Sequence, residues 1–166
     1  MSDEKKIRLY IGCGDDLRAG RINVDIRRPT TIPSGIEFIQ SDVRTLPFPN
    51  EYADELAATH VIEHFIDPNP ILREWGRVLK KDGKLFITCP DMDRVIQYYV
   101  SGRISFEYFC MYTYGARNYP TNIHYNGFNE AHLKKVLERN GFHDVVFRKS
   151  NSVTKTMPLR AVCKKR

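Results

Sequence analysis

The sequence predicts an α/β domain built around a largely parallel sheet. Short apolar runs alternate with segments of helical periodicity, and glycine and proline mark the junctions between them. No repeat, low-complexity tract or Gly/Ser linker divides the 166 residues, so a single domain spanning 1–166 is expected.

Ile7–Ile11 reads as a buried strand ended by Gly12-Cys13-Gly14. Arg21–Ile26 and Ile36–Gln40 read as the second and third strands, and Glu55–Thr59 as the fourth. Between them Leu46-Pro47-Phe48-Pro49-Asn50 is a loop, because two prolines break any ladder. Over Pro68–Lys80, residues Ile71, Leu72, Trp75, Val78 and Leu79 share one helical face, and the helix is expected to stop at Lys80-Lys81-Asp82-Gly83. Lys84–Thr88 is a fifth strand, halted by Pro90. Two short helices are expected near Asp93–Val100 and Ser105–Tyr114. Asn129 then caps a helix that turns Leu133, Val136 and Leu137 inward. Phe142–Lys149 and Thr154–Cys163 complete the pattern as a hairpin-like pair of strands.

Composition narrows the function. The 42% hydrophobic and 28% charged content is that of a folded globular chain. No apolar run reaches membrane-span length, and the first residues carry no signal-like stretch. The four cysteines (Cys13, Cys89, Cys110, Cys163) lie far apart, which fits a reducing, cytoplasmic setting and gives neither a zinc cluster nor a disulfide framework. A net charge of +6 attracts anions, but its basic residues are scattered apart from Lys164-Lys165-Arg166. A nucleic-acid partner is therefore admitted but not favoured.

The chemistry is expected at the carboxyl ends of the first strands. Gly12 and Gly14 allow close backbone approach to a ligand and can present N–H groups. Asp25 closes the second strand, where a carboxylate can accept from both ribose hydroxyls; Asp42, after the third, can accept from an exocyclic amine. Asp15 and Asp16 follow the glycines, where a pyrophosphate would need the opposite charge. Gly12–Gly20 is also too short for an ordinary crossover helix. The first helix should be shortened or absent, and the ligand a nucleoside without a pyrophosphate.

The segments LYIGCG, INVDI, SDVRTLPFPNEYAD, THVIEHF and ILREWGRVLKKDGKLFITCPD together resemble the class I, seven-strand S-adenosylmethionine-dependent methyltransferases, most closely small ones with a shortened first helix. The resemblance covers roughly residues 7–150. It implies a Rossmann-like sheet of about seven strands whose last strand is antiparallel. It also implies that Gly12, Cys13 and Gly14 bracket the methionine part of S-adenosylmethionine. Asp25, with Ile26 beside it, would hold the ribose; Asp42 and the Val43 backbone, the adenine; Thr59 and His60 would flank the methionyl group. With the usual helix missing, Arg18 is a candidate partner for the ligand carboxylate.

Nine of the nineteen aromatic residues lie in Tyr98–Tyr125, so 91–125 reads as an acceptor-side insertion. Tyr114, Arg117 and Tyr125 are candidate acceptor contacts, and His124 and His64 candidate bases, with Asp91 and Asp93 as rivals. His60-Val61-Ile62-Glu63-His64 matches an inverted zinc-protease pattern, but Asp67-Pro68 leaves that helix about two turns, and no metal is assigned. Cys89 is read as a buried thiol rather than a nucleophile. The expected activity is methyl transfer to a small-molecule acceptor, with a sugar or glycan-precursor hydroxyl suggested by the family resemblance. Two alternatives stand beside it: a catalytically silent methyltransferase-like binding module and a nucleic-acid methyltransferase. The short acceptor segment leaves the pocket open or completed by a second subunit, so a homo-oligomer is also an expectation.

Overall fold

A computed structural model describes residues 6–148 and 157–166. Seven strands form one sheet in the order β3-β2-β1-β4-β5-β7-β6. These are β1 (Arg8–Ile11), β2 (Ile22–Asp25), β3 (Glu37–Gln40), β4 (Ala53–Thr59), β5 (Leu79–Pro90), β6 (Phe142–Phe147) and β7 (Pro158–Lys165). The pairs β1–β2, β2–β3, β1–β4 and β4–β5 are parallel, and β7 runs antiparallel to both β5 and β6. This is the Rossmann-like arrangement expected from the resemblance. The outer ends of the last two predicted strands, at Lys149 and Thr154–Thr156, fall outside the described residues.

Successive strand residues face opposite sides, and the two sides are covered differently. Leu9, Ile11, Leu56, Ala58, Leu85 and Ile87 point into the main core. That core also takes Ile71, Leu72, Trp75 and Val78 from α1 (Pro68–Val78), and Leu133, Val136 and Leu137 from α4 (Glu130–Arg139). On the other side Tyr10, Ala57 and Cys13 pack with Leu17, Phe38 and Phe86, a cluster that draws on no helix residue. The connection from β1 to β2 contains no helix, as its length requires. Two further helices, α2 (Met92–Val100) and α3 (Phe106–Tyr114), build a separate cluster around Val95, Tyr112 and Met157.

The helix α1 stops two residues earlier than predicted. Leu79 is fully buried and pairs with Ala53, so the chain becomes extended at once. The Lys80–Gly83 stretch is not a helix end but an irregularity within β5, where the register slips between Ala53 and Glu55. Asp82 takes a positive φ of 60° there, and a side chain on Gly83 would lie 2.8 Å from the Lys80 carbonyl oxygen. Asp91 caps α2, Ser105 caps α3 and Asn129 caps α4, each side chain accepting from a first-turn backbone N–H.

Candidate active site

The strand order reverses direction between β1 and β4, and open α/β sheets bind ligands at the carboxyl ends of the strands beside such a point. Gly12, Asp25, Asp42, Thr59 and Asp91 all fall at that rim, after or at the ends of β1 to β5. A surface cleft of about 170 Å³ lined by Lys6, Asp54, Lys80 and Lys84 lies at the opposite end of the sheet and is remote from them.

The loop after β1 is tied to β2 by its backbone. Gly12 and Cys13 N–H both donate to the Val24 carbonyl, at 2.8 and 3.3 Å, and Gly14 N–H donates to Asp25 Oδ2 at 2.8 Å. The other Asp25 oxygen accepts from Arg27 N–H at 2.8 Å. This corrects the expectation that the glycine loop offers its N–H groups outward: with no helix to follow, the loop turns back and spends them on β2. Gly12 is required for a different reason. Its φ is +63°, and an added Cβ would lie 2.4 Å from Val61 Cγ2, so the close approach is made by the segment after β4. Gly14 is also at positive φ but open, its nearest neighbour being Arg27 at 3.7 Å. Burial, then the Asp25 charge, pushes the Cys13 thiol up to about 12, which makes it inert.

Arg18 does not stand free. Its guanidinium lies 3.9 Å above the Tyr10 ring and pairs with Asp16 at 3.0 Å, while Tyr10 OH donates to the same carboxylate at 2.8 Å. Asp42 folds onto its own turn, accepting from Arg44 N–H at 2.8 Å and from the Arg44 side chain, which lowers its pKa. Its backbone is anchored from below: Trp75 Nε1–H donates to the Val43 carbonyl at 3.1 Å, and Glu74 and Arg77 hold Leu46 and Phe48. Ile26 is exposed at the end of β2.

Beyond the end of β4, two segments distant in sequence come together. After β4, His60 is held at a positive φ of 54° and its Nδ1 lies 2.9 Å from Glu63 Oε1. Ile62–His64 form a single 3-10 turn, so the helix that an inverted zinc-protease pattern would need is absent there, in line with the room left before Asp67-Pro68. The Glu63 carbonyl accepts from Tyr125 and Asn126 N–H, at 2.9 and 3.2 Å. Asn126 Nδ2 also donates to the Phe65 and Ile66 carbonyls. These bonds draw His124 against His64, with ring centroids 4.9 Å apart in an edge-on arrangement.

Both rings have a defined tautomer. His64 Nδ1 lies 2.9 Å from the Ile123 carbonyl and His124 Nδ1 lies 2.8 Å from the Tyr112 carbonyl. A carbonyl only accepts, so each Nδ1 carries a proton, and Nε2 is the nitrogen whose lone pair the neutral ring offers. Burial lowers the His124 pKa, which favours the neutral ring. Glu63 was not among the residues singled out for function, yet it is fully buried and its Oε2 has no hydrogen-bond partner among the described residues. Its signal in the sequence was the H-x-x-E-H pattern, whose tertiary partner lies sixty residues on.

Of the acceptor candidates, Tyr114 and Tyr125 are both about half exposed and Arg117 lies over the Tyr114 ring at 5.2 Å. The 115–124 loop also reaches Arg27, whose guanidinium sits 5.8 Å from the Tyr119 ring, so it bridges from the histidines to the end of β2. Burial raises the Asp91 pKa, and its carboxylate is occupied capping α2. Asp93 accepts from Asn129 at the same edge. Cys89 is buried, and burial and the Glu63 charge raise its pKa well above the ordinary thiol value, as a packed thiol requires.

Residues 9–87 match the family described as "Methyltransferase domain". Ubiquinone/menaquinone biosynthesis C-methyltransferase UbiE from Vibrio campbellii is 30% identical over 74 residues, 43% of this chain and 29% of that protein. The chain thus spans under a third of the length of this curated relative. Among solved structures, a SAM-dependent methyltransferase from Archaeoglobus fulgidus superposes with a TM-score of 0.63 at 20% identity, covering 96% of this chain and 86% of that one. Human N-acetylserotonin methyltransferase in complex with SAM gives a TM-score of 0.68 at 14% identity, covering 98% and 49%. The sheet order and these likenesses converge: residues 9–87 match the methyltransferase-domain family, and the fold is the Rossmann-like one of S-adenosylmethionine-dependent methyltransferases.

Proposed function

We propose that this protein transfers the methyl group of S-adenosylmethionine to a hydroxyl acceptor, a sugar or glycan precursor being the class the acceptor side suits best. The observation that carries the reading is two imidazoles beside the end of β4, each with Nδ1 tied to a backbone carbonyl, so that Nε2 is the nitrogen left for an acceptor proton. Asp25, already fixed by two backbone donors, keeps lone pairs for the ribose hydroxyls. Gly12, Cys13 and Gly14 flank the methionine part, and Asp42 and Val43 the adenine. Thr59 and His60 lie beside the sulfonium. Arg18 meets the ligand carboxylate only by sharing the Asp16–Tyr10 pairing it already has.

The sulfonium carbon is electrophilic without further activation, so the chain's work is to align acceptor and methyl and to receive a proton. Residues 91–125, with Tyr114, Arg117 and Tyr125, form the acceptor side. Rings and hydroxyls there can sandwich a sugar and exclude water. In the metal-free protein His124 Nε2 takes the hydroxyl proton as the oxygen–carbon bond forms. The sulfur keeps the electron pair of the broken S–CH₃ bond and leaves as a neutral thioether.

Methyl-labelled S-adenosylmethionine incubated with a panel of sugars and glycan precursors tests this directly. Label is expected on an acceptor oxygen, with turnover falling about 10²–10⁴-fold in His124→Asn. Undiminished turnover in that variant would end its role as base, and label on carbon or nitrogen would remove the hydroxyl acceptor.

A further inference from the structure

Beside the two imidazoles lies a fully buried carboxylate oxygen with no hydrogen-bond partner among the described residues. Glu63 Oε1 is taken by His60, while Oε2 is enclosed and bare. Burying such an atom without compensation is costly, so its position calls for an occupant.

One ring nitrogen each from His64 and His124 and a carboxylate oxygen of Glu63 lie within 4.8 Å of one another. We infer that these three side chains form a binding site for a divalent transition-metal cation. The donor set of two imidazoles and one carboxylate, leaving further coordination positions open, is that of zinc and non-haem iron centres. Both imidazoles already make the outer contact that metal-bound histidines make: Nδ1–H donates to a backbone carbonyl, which fixes the ring and aims Nε2. Glu63 has the matching support, since His60 holds its other oxygen. Closing the three donors onto an ion requires them to approach by about 1 Å, within reach of side-chain rotation. On a helix, the H-x-x-E-H pattern would present His60 and His64 together. The structure instead uses His60 as the support for Glu63 and recruits His124 from sixty residues away.

The ion-binding claim stands on this geometry alone; its part in catalysis rests on the methyl-transfer reading above. With the cation seated, an acceptor hydroxyl in an open position becomes more acidic and loses its proton to solvent. The resulting oxygen forms the bond to the methyl carbon, the S–CH₃ bond breaks, and its electron pair stays on sulfur. His64 and His124 are then ligands, and the cation replaces His124 in removing the proton.

The test uses the full chain, stripped with chelator and titrated with Zn²⁺ and with Co²⁺, without S-adenosylmethionine or acceptor. One ion per chain is expected by calorimetry, and a visible d–d band for Co²⁺. Affinity should fall at least tenfold in Glu63→Gln and in His124→Asn, and S-adenosylmethionine affinity should be unchanged in both. Should Glu63→Gln not fold, His64→Asn serves in its place. No saturable uptake by the wild type, or equal uptake by folded variants, overturns the site. Metal bound by a protein that fails to bind S-adenosylmethionine would overturn the methyl-transfer reading and leave the metal site standing.

Discussion

The two sides of the strand rim are built on different principles. On the cofactor side, Gly12, Gly14 and Asp25 are tied together across ten or so residues by backbone bonds to β2, and Asp42 closes on its own turn. On the side proposed for the acceptor, Glu63, His64 and His124 are brought together by Tyr125 and Asn126 on the Glu63 carbonyl, by Asn126 on the Phe65 and Ile66 carbonyls and by His64 on the Ile123 carbonyl, about sixty residues away in sequence. The first side is local and anchored on the core; the second depends on a few long-range bonds at the surface. Binding of the cofactor and delivery of the acceptor should therefore be separable by mutation.

The sharpest way to break this contrast is through the core. Trp75 is fully buried and holds the Val43 carbonyl, so Trp75→Ala should cost about 3–5 kcal/mol of stability, read from urea unfolding. S-adenosylmethionine affinity should suffer with it. A smaller loss with unchanged affinity would mean that the Asp42 turn stands without its anchor. Next comes Gly12→Ala, which meets Val61 at 2.4 Å in a backbone region that L side chains avoid. It should destabilise by about 1–3 kcal/mol, and Val61→Ala in the same chain should recover part of that. Strict additivity in the double-mutant cycle would contradict the proposed contact. The mildest change is Asn126→Ala, which removes the side-chain bonds to the Phe65 and Ile66 carbonyls. About 1 kcal/mol of stability should go, with turnover reduced and cofactor affinity retained. Equal losses in both would merge the two sides into one unit.

The same contrast explains what could be read from the chain in advance. Gly12-Cys13-Gly14, Asp25 and Asp42 stood out because each follows a short apolar strand, and the missing first helix followed from a connection too short to hold one. The reason for Gly12 was not legible, since Val61 reaches it from another strand's end. Nor was the inward use of the loop's N–H groups, which depends on how the chain turns after β1. The end of α1 was misplaced because Lys80–Gly83 has helix-stop composition, while the burial of Leu79 against Ala53 decided the outcome. Glu63 was legible only as part of the H-x-x-E-H pattern and not as a site residue, because His124 joins it from sixty residues away.

The central claim is that the rim between β1 and β4 holds S-adenosylmethionine through Asp25, and calorimetric titration of the cofactor tests it most directly. Saturable one-to-one binding is expected for the wild type, weakened by about 1–3 kcal/mol, roughly 5- to 150-fold, in Asp25→Ala. No heat of binding to the folded wild type, or the same affinity in the variant, would contradict the account.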